Sequence, residues 1–292
     1  MKRMYAVDAN RVFLVSIIAA QCMVHALAYT GLQDRMSLQF LNEVFLAAPG
    51  FYYLFMQKQG LKKSLEINTI GWKSWLLLLP FAVCVDKIAQ YINVLSQLFT
   101  ENRIGDYMLE LILAYPFPVA FFVIAVTPTI CEELLFRGVL YRGYRKTGRW
   151  VAIVLSAFLF GIMHMNLNQF FYAFVVGIIF ALVNEVTGSI LPSVFLHLYM
   201  NGRSTVLLFL MANSSEGLQE QYSMKEECIR LLPGFLASVA GVGILFFFLF
   251  RCGKKRKEIQ MSERIEEKGS FAGIISPELI LGIGLCIVFM FI

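Results

Sequence analysis

Long apolar runs, separated by short polar breaks, dominate the chain. They occupy residues 12–29, 40–56, 75–99, 108–127, 150–165, 170–186, 190–211, 231–250 and 271–292. An apolar run of about 17 residues or more can cross the ~30 Å hydrocarbon core of a bilayer as a helix. No stretch alternates apolar and polar residues as a β-barrel strand would. Helices are then the spanning elements, because they satisfy their own backbone groups in lipid. The expected fold is all-α: a polytopic transmembrane bundle of about eight spans, with seven to nine as the range. One integral-membrane domain is expected over residues 1–292. Its core lies at about 108–211, and accessory spans lie at 11–99 and 231–292.

One apolar stretch is broken by charge where lipid should be deepest. Glu132, Glu133 and Arg137 fall within six residues, just after the uncharged run Val119 to Val126. A charged side chain at the bilayer centre costs about 2.5–3.5 kcal/mol on insertion scales. Three of them need a partner, a water-filled cavity or a role. Glu133 and Arg137 are four residues apart and share a helix face, so they are expected to pair as an internal brace. Glu132 is turned about 100° away and should point into a cavity. Pro128 suits a first helical turn, so the helix carrying these residues is expected to run from 128 to about 145. Asp86 with Lys87 reads as a local pair or as interfacial charges. Glu110 reads as interfacial, and His25 as a packed polar residue.

Composition and charge narrow the class. Of 292 residues, 58% are hydrophobic and only 15% charged. Soluble domains carry about 25% charged residues. The net charge of +5 comes from basic residues in short loops, so it speaks to topology and not to nucleic acid. The loops at 58–73, 142–149 and 254–257 are basic and are expected on the cytoplasmic side. That places 108–145 as a single crossing, about 57 Å of straight helix, which is too long for the membrane. A projection into the cytoplasm or a break at Pro128 is expected to absorb the excess. The six cysteines are scattered without a CxxC pair, which argues against a disulfide framework or a thiolate metal site. Ala26-Leu27-Ala28 resembles a signal-peptide cleavage site, but the first run is read as an uncleaved span.

Two of the chain's three histidines can join the acid. Glu132 and His164 both lie roughly 22–26 Å along their helices from the turn near Thr147. His197 lies roughly 13 Å beyond the turn near Gly188, a difference that helix tilt can absorb. Phe160 stands four residues before His164, and Asn201 four after His197. A carboxylate near imidazoles can act as general base on water. Glu132, His164 and His197 could instead hold Zn²⁺ with an open position. Asn201 and a histidine can donate to a developing oxyanion. All three chemistries point to hydrolysis of a polarised carbonyl within the membrane.

The run Glu132-Glu133-xxx-Arg137, then Phe160-xxx-His164, then His197-xxx-Asn201 resembles the three motifs of the CAAX-processing and bacteriocin-processing (CPBP, Abi or type II CAAX prenyl endopeptidase) intramembrane proteases. The resemblance covers about residues 126–205. It implies a helical membrane endopeptidase in which Glu132 is the water-activating base, assisted by His164. His197 and Asn201 would form the oxyanion side, with Glu133, Arg137 and Phe160 as structural brace. It favours a mechanism without a cofactor, and zinc is the alternative. The implied partners are the lipid bilayer and a protein or peptide substrate, lipidated in the CAAX case. The expected location is a bacterial plasma membrane. The rival readings are a proton- or ion-coupled transporter and a non-catalytic bacteriocin-immunity protein. No second copy of the acid-rich motif supports the first of these.

Overall fold

The computed structural model describes residues 6–31, 34–57, 60–101, 103–213, 223–262 and 273–291. Among these residues the chain is helical without strands. The helices are α1 (Ala6–Tyr29), α2 (Arg35–Met56), α3 (Leu61–Ser64), α4 (Trp72–Ser96), α5 (Arg103–Ala114) and α6 (Phe117–Tyr144), followed by α7 (Arg149–Ile162), α8 (Leu167–Thr187), α9 (Leu191–Asn213), α10 (Met224–Ser262) and α11 (Pro277–Phe291). Among the described residues, six helices are long and apolar enough to cross a membrane: α1, α4, α6, α8, α9 and the Met224–Gly253 part of α10. The shorter α7 and α11 are also apolar. With α2, this fits the upper part of the expected range. The protein is a multi-pass integral membrane protein.

End contacts set the topology. Asn10 near the start of α1 donates to Gly273 O, Ile274 O and Ser276 Oγ, and accepts from the Tyr144 hydroxyl at 2.7 Å. At the same end Glu66 pairs with Arg142 at 2.8 Å and Arg145 at 3.3 Å, while Glu185 pairs with Arg145 and Arg149. Asn68 and Ser189 tie the 60–71 connection to the turn after α8. The two basic loops at 60–73 and 142–149 therefore lie together. Gly253 of α10 also reaches this end, packed so closely that an added Cβ would meet Val186 O. The side chains of Lys254–Lys257, and Lys58, lie outside the described residues.

The opposite end is closed by other contacts. Asp34 caps α2 by accepting from Ser37 N at 2.9 Å, and the Tyr115 hydroxyl donates to it. These hydrogen bonds hold its carboxyl below the ordinary range. Arg35 pairs with Glu110. Asn168 reaches Asn93 O and Ser96 Oγ.

The long 108–145 stretch is resolved differently from expectation. The chain breaks at Tyr115–Pro116, not at Pro128, so α5 and α6 are separate helices. Pro128 lies inside α6. A π-helical turn at Phe122–Val126 precedes it, and Thr127 N–H bonds back to Phe122 O. Such a turn relaxes the ladder where proline offers no N–H and crowds the carbonyl four residues back. The hydroxyls of Thr127 and Thr129 bond Phe122 O and Ala125 O. A second π-helical segment, Glu133–Leu140, follows at the acids themselves. At 28 residues, α6 spans about 42 Å, close to what one crossing with its interfaces requires.

α8 stands between two apolar cores. Ala173 and Ala181 face a core with residues of α1, α2, α6, α7 and α11, while Val176, Phe180 and Val183 face one with α4, α9 and α10. α7 comes close to α8 at Gly177, where an added Cβ would lie 3.0 Å from Ala157 Cα. Asp86 pairs with Arg203 at 3.0 Å and accepts from Gln90. His25 is exposed, its Nδ1 bonded to Gln21 O, and is not packed in the interior.

Candidate active site

α6 presents its two acids to different surroundings. Glu133 and Arg137 are 1% and 3% exposed and lie 3.0 Å apart as the expected i,i+4 pair. The pair is poorly aligned as a hydrogen bond, and Nη1 and Nη2 of the guanidinium have no hydrogen-bond acceptor. Aromatic faces cover the guanidinium instead: its carbon lies 4.2 Å from the Phe160 ring centre and 5.1 Å from that of Phe180. Cation–π attraction and the ion pair together offset part of the burial cost.

Glu133 reaches two further elements through α9. Ser193 Oγ donates to Glu133 Oε2 at 2.5 Å, and His197 Nδ1 lies 3.0 Å from Glu133 Oε1. Asn184 of α8 donates to Ser193 Oγ at 2.6 Å and accepts from Ser193 N at 3.1 Å. An ionised carboxylate only accepts, so His197 Nδ1 carries a proton there. The remaining nitrogen, Nε2, lies 3.6 Å from Glu132 Oε2. The ring meets Phe160 edge-on and lies tilted against Phe180.

His164 sits in the turn after α7, which ends at Ile162 and not at Met165 as expected. Its Nδ1 lies 2.8 Å from Phe160 O. A carbonyl can only accept, so Nδ1 is the protonated nitrogen and Nε2 keeps its lone pair. Phe160 meets the His164 ring edge-on at 5.2 Å. Phe160 thus touches Arg137, His164 and His197 at once.

Glu132, His164, His197 and Asn201 all line one cavity of about 520 Å³. It is bounded by α1, α2, α5, α6, α8, α9 and the turn after α7. Glu132 is 5% exposed, and its Oε2 has no hydrogen-bond partner. The sequence-based set is therefore brought to one space. Among the described residues, no three His, Cys, Asp or Glu side chains are arranged to hold a metal ion.

Sequence reasoning missed Ser193, Asn184, Phe180 and Glu43. Ser193 had a signal: it lies four residues before His197, on the same helix face. Glu43 of α2 also lines the cavity, far from the motifs in sequence.

Residues 114–203 match the family model described as type II CAAX prenyl endopeptidase Rce1-like. A curated protein of Bacillus subtilis (strain 168), named "Putative membrane peptidase YdiL", is 28% identical over 130 residues, 44% of this chain. The chain spans about half the length of that relative, 51%. No solved structure matches the chain.

Proposed function

From a chain that belongs to the CPBP family through its 114–203 core, we propose an intramembrane endopeptidase that cuts a membrane-associated protein or peptide with a water activated by Glu132. One observation carries the reading. Glu132 is a buried carboxyl without a hydrogen-bond partner, in a large cavity shared with His164, His197 and Asn201. A purely structural acid would be paired, as Glu133 is.

Glu132 takes a proton from a water in the cavity, and the oxygen adds to the substrate carbonyl. His164 Nε2, with its lone pair free, orients that water. The tetrahedral oxyanion receives a hydrogen bond from the Asn201 amide, joined by His197 when Nε2 carries a proton. Glu133 and Arg137 fix the His197 ring. The chemistry needs no cofactor, and zinc chelation is expected to leave activity intact. The substrate is a peptide, lipidated or not, that reaches the cavity from the bilayer.

The transporter reading draws no support from the site, because its paired charges are locked to neighbours. The test is proteomic. Membranes with and without active protein are compared by mass spectrometry for new peptide termini, and the purified protein is then assayed on the peptide found. Glu132→Gln should lower cleavage by about 10²–10⁴-fold with the fold intact. Asp86→Asn, whose carboxyl lies away from the cavity, should cleave normally. Cleavage by Glu132→Gln at the wild-type rate would overturn the assignment.

A further inference from the structure

The proposed hydrolysis leaves one requirement unmet: the departing amine must gain a proton as the C–N bond breaks. The cavity holds a second acid for which no role has been given. Glu43 lies on α2, 5% exposed, and lines the same space as Glu132. Its Oε1 receives only a long contact from Gln39 Nε2, at 3.4 Å, and its Oε2 has no hydrogen-bond partner. The two carboxyls are near enough to interact electrostatically, and both act on Cys131. Glu43 lies outside the 114–203 match.

An acid so buried on an accessory helix usually has a cation. Here the arginine of the site is held by Glu133, at 3.0 Å. Two carboxyls without a cation of their own in one low-dielectric pocket do not both ionise; they share one negative charge. The surroundings divide it. Arg137 on its own helix acts on Glu132, while Glu43 has only the Gln39 amide. Charge is better held at Glu132, and the proton at Glu43.

Resting on the peptidase reading above, we propose that Glu43 is the general acid of this site, donating its proton to the leaving amine. The balance closes. Glu132 takes the water proton as the O–C bond forms. The oxyanion collapses, the C–N bond breaks and the Glu43 proton passes to nitrogen. The products are a carboxylic acid and an amine. The cycle ends with Glu132 protonated and Glu43 ionised, and a proton crossing the cavity from one to the other restores the resting state.

A leaving group that needs no proton separates this from a packing role. The probes are two quenched-fluorescent peptides of one sequence, taken from the cut found in the proteomic test. One has an amide at the scissile position and the other an ester. In Glu43→Gln, amide cleavage should fall about 10²–10³-fold, the range of lost general acid catalysis. Ester cleavage should fall far less, so the ester-to-amide ratio rises by about 30-fold or more. An unchanged ratio, whether both rates fall together or neither falls, overturns the proposal. Glu43→Asp, which sets the acid one methylene back, reads the same ratio if the glutamine variant does not fold. Glu132→Gln should lose both activities alike. If it cuts both probes normally, the peptidase assignment to Glu132 fails, whatever the Glu43 ratio does.

Discussion

Glu133 bonds to two residues of α9, and its partners explain why it cannot stand in for Glu132. Arg137 takes its charge, Ser193 and His197 take its lone pairs, and Asn184 holds Ser193. Removing either member of such a buried pair strands the other, at about 3–5 kcal/mol. Glu133→Ala and Arg137→Ala should therefore lose both thermal stability and cleavage, measured on purified protein by melting and by peptide assay. Ser193→Ala should cost less, about 1–3 kcal/mol, the range for a buried acceptor left unmet. Equal unfolding in Glu132→Gln would make Glu132 structural as well. Much of this was legible from the sequence. Glu132, Glu133, Arg137, His164 and His197 stand out because an apolar run has no other reason to hold them. Glu43 did not stand out. A lone acid near the start of a span reads as an interfacial charge, and only the packing of α2 against α6 turns it inward.

At the scale of elements, the close approach of α7 and α8 holds Phe160 and Phe180 around Arg137. Gly177 makes that approach, since a Cβ there would meet both Ala157 Cα and Cβ at 3.0 Å. Neither atom lies at the end of a flexible side chain. Gly177→Val should therefore push the helices apart and lower stability by about 1–3 kcal/mol, as overpacked cores do. A melting curve unchanged within error would show that the contact has room to relax. Element boundaries were less legible than residues. Pro128 looked like a helix start because proline favours the first turn. The helix instead continues through it, because the π-helical turn upstream relaxes the ladder. His164 was placed on a helix and lies in the turn behind one.

For the whole molecule, the basic 60–73 and 142–149 loops meet at one end, with the starts of α1 and α11. The positive-inside tendency predicts that this is the cytoplasmic end. A cysteine placed at Thr30, after α1, should react with a membrane-impermeant maleimide added outside intact cells, and one placed at Lys63 should not. The reverse labelling would invert the chain in the membrane. The single crossing of α6, awkward to place from the sequence alone, follows once α5 is separated from it at Pro116. The geometry of the second π-helical segment reaches further. From Glu133 to Leu140 the ladder closes on the fifth residue, as Tyr141 N–H does on Phe136 O. Wider winding of this kind is what one surplus residue in an ordinary helix produces. Deleting a single non-motif residue of this stretch, such as the half-buried Leu134, would let the coil tighten, and the two halves of α6 would swivel relative to each other. The acid and the aromatic-capped guanidinium would then face different neighbours, though every motif residue was still present. A search that counts the residues and ignores the winding would score such a chain as intact.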